Sequence, residues 1–418
     1  MSRTRVTAGV VLAYLVALGA LVACAAGDEK ADGTPPPVDE PSRPLEAGVA
    51  DAPEEDATIP APNECSEDGF CYVPVPTDRP LIAVSASSAD EAWMLPQQSG
   101  AILRWNGTSI EQLYEYDGVS PSSITFADLW AGKKDDVWAV ATDSENHFFF
   151  VHYAARSGGA PSFRQLPTQE TVTAISAAWG TADGNVLWVA TADSVLRVRE
   201  DASGAVIEDL RPSLGAEDER GYAWRGVWGF GPDDVFVAGM VCPSNPCGWE
   251  GGKGAIAHYD GATWSISTID SARELTSLRG TPPGTTRQLW YDAAEEDPLG
   301  TLVQKAHLVA VTSGGQLGAA LYTHPTNGAA CSTRLGRAAS ATVGWFSSGG
   351  LLCRWDGTKL TPARTSLGDR PVIQGLNGIW AGGTDDVWLV GAAVTREGLP
   401  QGAIAARRTA ATAQGGKQ

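Results

Sequence analysis

The sequence predicts an all-β fold, a β-propeller of seven four-stranded blades, on three observations. A Trp and acidic-pair motif recurs, Asn-Gly or Asp-Gly turns follow it, and the copies repeat every roughly 45 to 55 residues, the spacing of propeller blades. The best copies run from Leu129-Trp130 to Asp135-Asp136-Val137-Trp138, from Val227-Trp228 to Asp233-Asp234-Val235-Phe236, and from Ile379-Trp380 to Asp385-Asp386-Val387-Trp388, with identical spacing. Looser copies lie between Ser85 and Trp93, where Asp90-Glu91 is the acidic pair, and between Trp179 and Trp188, with one extra residue. Degenerate copies lie near Gly280 to Trp290 and Arg337 to Trp345. One copy per blade gives seven blades, with six or eight as the neighbouring alternatives.

Each element follows from this pattern. Strand A carries the first Trp and strand B the Val-Trp pair. Strand C precedes the turns Asn106-Gly107, Asp260-Gly261 and Asp356-Gly357, and strand D follows them. Both turn positions are expected at positive φ, which Asn, Asp and Gly tolerate. The recurring Trp rings are expected to fill the wedge between neighbouring blades, with an aromatic ligand cage as the alternative. After Trp388 one further strand is available, near Ala403 to Arg407, so the last blade lacks its own strand D. Phe70 to Pro76 is predicted to supply it and seal the ring, since its prolines suit an edge strand.

The amino terminus has a different character. Arg3 and Arg5 precede an uncharged apolar run from Val6 to Ala23, the layout of a signal peptide. Its end, Leu21-Val22-Ala23-Cys24, resembles a bacterial lipobox, which implies cleavage before Cys24 and a diacylglycerol on its thiol. Ala25 at the next position implies outer-membrane delivery by the rule for enteric bacteria. Residues 25–64 hold 8 prolines and 11 acids against two bases. Such a segment buries too little apolar surface to offset its ordering entropy, and as a coil it reaches roughly 35 Å. The expected organisation is therefore a signal peptide (1–23), a lipidated Cys24 with a disordered acidic tether (24–64), the propeller (65–408) and a flexible tail (409–418).

Once Cys24 is used for lipid, the other six cysteines form sequence-local pairs: Cys65 with Cys71, Cys242 with Cys247, and Cys331 with Cys353. In an exported chain disulfides are the default reading, and Cys242 to Cys247 lacks the second ligand pair a zinc site needs. The formal net charge is −19, from 49 acidic and 30 basic residues, which argues against nucleic acid as a partner.

The repeat resembles those of propeller lipoproteins of the kind common in myxobacteria, and more distantly Kelch and Asp-box propellers, over residues 81–408. It departs from a full Asp-box, the nearest copy being Asp260 to Trp264. The resemblance implies a scaffold and a location in the cell envelope.

Chemistry is sparse. The five histidines are His147, His152, His258, His307 and His324, of which His152 and His258 share a slot in the repeat. No nucleophile elbow, metal-binding helix, phosphate loop or dinucleotide fingerprint is present in the sequence. The acidic pairs would form a partial ring; the expectation is that one acid bonds its turn and the other is solvated, with calcium as the alternative. No metal or cofactor is expected. Ligands are expected at the B–C and D–A loops, where the longest insertions fall at Met240 to Gly254, Tyr291 to Lys305 and Gly391 to Gly402. The first, stapled by Cys242 and Cys247, offers Trp249, Glu250 and Lys253 as binding residues. The expected function is a monomeric, membrane-anchored, non-enzymatic binding or scaffold module for an envelope protein or glycan. The alternative is a polysaccharide-acting glycosidase or lyase drawing on Arg104, Arg197, Arg225, Arg279 and Arg354.

Overall fold

A computed structural model describes residues 65–412, apart from 89, 119–122, 157, 213–220, 244–250, 298, 326–330, 332, 349–350, 368–369, 372–374, 395–399 and 411. The signal peptide, Cys24, the tether, Cys247, Trp249 and Glu250 lie outside the described residues.

Seven antiparallel sheets of four strands form the blades of a β-propeller. Their innermost strands are Leu81–Ser88, Thr125–Lys133, Ile175–Gly180, Gly221–Gly231, Ala272–Gly280, Leu335–Ser340 and Gly375–Ala381. Each packs on the next and the last returns to the first, so the ring is closed. A short hairpin, Ser366–Leu367 with Arg370–Pro371, lies between blades 6 and 7 in sequence.

Blade 7 confirms closure by both chain ends. Gly375–Ala381, Val387–Val394 and Pro400–Arg408 supply three strands, and Phe70–Val73 supplies the outermost, in register from Phe70 against Arg408 to Val73 against Ala405. The strand ends at Val73, three residues short of the expected limit, because Pro74 has no N–H to donate to a ladder. Phe70 is fully buried and meets Trp345 of blade 6 edge to face at 5.4 Å. The Cys65–Cys71 disulfide holds the entering chain, and Arg408 Nε donates to the Asp68 carbonyl at 2.6 Å. A second disulfide, Cys331–Cys353, ties the segment entering blade 6 to its third strand. Both bonds fit an oxidising, non-cytoplasmic compartment.

The Trp rings are core. Trp93, Trp138, Trp188, Trp290, Trp345 and Trp388 of strand B are each under 2% exposed. The strand-B ring of one blade packs on the strand-C aromatic of the next: Trp93 on Tyr153, Trp188 on Tyr259, Trp290 on Trp355 and Trp388 on Trp105. Strand A explains the Trp-Gly dipeptides Trp179-Gly180 and Trp228-Gly229, and Gly280 after Arg279 at the same place. A Cβ on Gly180, Gly229 or Gly280 would come within 2.5, 2.4 or 2.3 Å of the ring of Trp130, Trp179 or Trp228 in the preceding blade. Glycine lets each indole lie flat on the backbone of its neighbour.

Two expectations are corrected. In the Asn106-Gly107, Asp260-Gly261 and Asp356-Gly357 turns the glycines alone take positive φ, at 99°, 95° and 94°. Asn106, Asp260 and Asp356 stand before them, and each side chain accepts the N–H groups two and three residues on. Those bonds fix the turn without a left-handed Asx residue, and together with the Thr358 hydroxyl they hold the Asp356 carboxyl down to about 2. The expected insertions after strand B are in part extended strand. Asp234–Cys242 pairs with Lys253–Tyr259, and Gln288–Glu296 pairs with Leu302–Val311 through to Glu296 against Leu302.

Candidate functional site

In three of the four acidic pairs an acid reaches a cation of a neighbouring blade, forming a clasp, whereas Asp385 pairs with Arg408 of its own blade. Arg104 in strand C of blade 1 donates to Glu91 Oε1 of its own blade and to Asp135 Oδ1 of blade 2, both at 2.6 Å, and lies 5.2 Å over Trp93. The same slot, opposite the strand-B aromatic, holds His152, Arg197, His258, Arg354 and Arg407 in five other blades. His152 stacks on Trp138 at 3.9 Å and bonds Glu200 of blade 3. Arg197 reaches Asp233 of blade 4 at 3.2 Å, His258 bonds Asp234 at 2.9 Å, and Arg407 lies 3.6 Å from Asp90 of blade 1. Burial alone would raise the Asp234 carboxyl; the His258 bond and Arg287, 2.8 Å away in blade 5, hold it below the usual range. The expectation of one turn-bonding and one solvated acid holds in its solvated half for Asp90 and Asp233, 84% and 60% exposed, while Glu91 and Asp234 bond Arg104 and Arg287 instead of only their turns. Sequence reading placed His152 and His258 in this slot but did not extend it to the arginines, although Arg104 and Arg354 likewise stand immediately before the strand-C aromatic. Of the arginines considered for catalysis, Arg104, Arg197 and Arg354 occupy the slot. No group of three or more metal-ligating side chains is assembled among the described residues.

The central channel is lined by a second row. Opposite the strand-B aromatics stand Ser85, Trp130, Trp179, Trp228, Arg279, Arg337 and Trp380. Trp130 lies 5.8 Å from Trp179 and 5.9 Å from Trp228, two blades away, so the rings converge on the axis. Arg337 from blade 6 lies 5.4 Å over Trp130 and 5.5 Å over Trp380. Asp128, Arg279 and Arg337 sit deep within the ring yet keep accessible surface, which makes them channel-lining. Burial raises the Asp128 carboxyl against bonds from the Ala178 and Leu129 N–H groups and the charge of Arg279. Burial also lowers Arg279 despite Asp128 and Asp292, and pushes Arg337 down to about 10.

Six innermost strands carry a one-residue bulge at the same depth, at Ile82, Ala127, Ser176, Arg225, Thr276 and Asn377. Bulges re-aim side chains. Here they serve links between neighbouring blades: Arg225 Nε donates to Glu274 at 2.7 Å and Asn377 to the Leu81 carbonyl at 2.8 Å.

On the face of the B–C and D–A loops, blades 4 and 5 gather charge. Buried Glu295 lies 2.7 Å from Lys305 Nζ and 2.9 Å from His307 Nε2, while Thr323 Oγ1 meets His307 Nδ1 at 3.2 Å. Burial lowers His307, with Glu295 opposing, and burial with the nearby Glu295 charge pushes Tyr291 up to about 12. Lys253 is well exposed and pairs with Asp270 at 2.9 Å. The hairpin of blade 5 ends in Leu299 and Leu302, 89% and 56% exposed.

No family model and no curated protein matches the chain. Its structure is similar to that of YCF48 bound to D1 peptide, with TM-score 0.52 and 15% identity over 84% of this chain and 98% of that one. It is also similar to YCF48 from Cyanidioschyzon merolae (TM-score 0.54, 12% identity, 81% and 98%) and to streptogramin B lyase (TM-score 0.52, 12% identity, 81% and 97%). At these identities the likeness establishes one thing, the β-propeller fold.

Proposed function

We propose that this chain is an exported lipoprotein, anchored by a diacylglycerol on Cys24 in the outer membrane, whose acidic tether carries a non-enzymatic binding propeller. The partner is an envelope protein, held at the rim of blades 4 and 5. One observation carries this reading: the blade 5 hairpin presents Leu299 and Leu302 to solvent amid the ion pairs Lys253–Asp270 and Arg273–Glu296. An apolar tip with a charged rim is the anatomy of a protein interface. The peptide bound by YCF48 lends support by analogy of fold. The clasps also support a non-enzymatic role, since they occupy Arg104 and Arg197, two of the arginines a polysaccharide-acting enzyme would use.

The test is capture from detergent-solubilised envelope by the full lipidated chain and by a Leu299→Asp, Leu302→Asp double variant. Expected is a discrete partner retained by the first and lost by the second. Equal retention by both, or turnover of envelope polysaccharide by the purified chain, would overturn the reading.

A further inference from the structure

The channel holds a charge that the fold does not use. Elsewhere in the ring Arg104, Arg197, Arg225 and Arg287 each meet a carboxylate. Arg337 has no carboxylate within ion-pairing distance among the described residues, and burial is the one influence acting on its charge. Its Nε and the indole N–H groups of Trp130, Trp179 and Trp380 are buried without an acceptor among the described residues. These are all donors. Asp128, which already accepts the Ala178 and Leu129 N–H groups, and Asp292 both act on Arg279, whereas no carboxylate among the described residues acts on Arg337. Arg337 is thus an uncompensated cation among the described residues, in a chain of net charge −19.

We propose that the central channel is an anion site in which Arg337 binds a carboxylate. Trp130 and Trp380 bring their ring faces against the guanidinium carbon, at 5.4 and 5.5 Å, and so leave its in-plane N–H edge for a ligand. A planar carboxylate takes two parallel bonds from that edge, whereas a tetrahedral oxyanion projects out of the plane toward the rings. The same chemistry comes from two sources, a small free acid or the carboxyl end of a peptide. This site rests on the reading of the ring as a binding module, yet it is separate from the blade 4 and 5 rim, so partner capture and anion binding succeed or fail independently.

Isothermal titration of the full chain with acetate, with triglycine as its free acid, and with triglycine amide tests the proposal, at constant ionic strength set by chloride. Saturable binding of acetate, weakened about tenfold or more by Arg337→Met, is expected. Arg337→Lys, which keeps the charge without the fork, is expected to fall between. Tighter binding of the triglycine acid than of acetate, with none of the amide, assigns the peptide end; acetate binding alone assigns the small acid. Absence of saturable binding, or equal binding by folded Arg337→Met, would refute the site. Should Arg337→Met not fold, the wild-type and Arg337→Lys titrations decide: no difference between them refutes the fork. Bromide-soaked crystals give an independent reading, with an anion peak expected beside Arg337 and its absence counting against the site.

Discussion

At the scale of single residues, the clasp decides which charges matter. Glu91 is 3% exposed, and its partner Arg104 is shared with Asp135, which is 31% exposed. Removing Arg104 strands a buried carboxylate, whereas removing Asp135 loosens a largely hydrated pair. Arg104→Ala is therefore expected to cost about 3–5 kcal/mol and Asp135→Ala about 1 kcal/mol or less, read by urea denaturation. Equal losses would mean that the clasp is surface decoration. The acidic half of this device was legible because Asp-Asp recurs at fixed spacing. Its basic half was legible only in part, at His152 and His258, because Arg and His differ in shape and Arg197 and Arg407 lack the following aromatic that marks the slot elsewhere. The site residues fared similarly. Lys253 is placed in an exposed pair, while the channel cation Arg337 had no sequence signal beyond standing where other blades have Trp.

At the scale of elements, the strands were legible because the repeat writes each one with its own marker, and every blade follows the A to D order. The Asn-Gly and Asp-Gly pairs located the hairpins correctly. The turn conformation differed because a side-chain oxygen that accepts the following N–H groups keeps the Asx residue out of the left-handed region. The Trp-Gly dipeptide carries information of the same kind, readable once the blades are assembled. Gly229→Ala sets a Cβ against the buried end of Trp179, while Gly383 has nothing within 4 Å of its Cβ position. The first substitution is expected to destabilise by about 1–3 kcal/mol through overpacking and the second to leave the thermal midpoint near wild type. A neutral Gly229→Ala in the same calorimetric series would show that the indole shifts freely.

At the scale of the whole molecule, the ring is sealed by non-adjacent ends of the chain. Phe70–Val73 completes blade 7, buries Phe70 against Trp345 and is pinned by the Cys65–Cys71 bond. The missing last strand was legible by counting: blade 7 ran out of chain, and an apolar run with edge-tolerant prolines stood unused at the other end. Closure also removes an exposed ladder edge. The most direct test compares thermal unfolding of the full chain with two deletions, residues 65–78 and residues 26–60. The expected result is a midpoint lowered by about 5 °C or more, with aggregation, for the first and an unchanged midpoint for the second. Equal midpoints for the two deletions would contradict a ring closed by its amino-terminal strand.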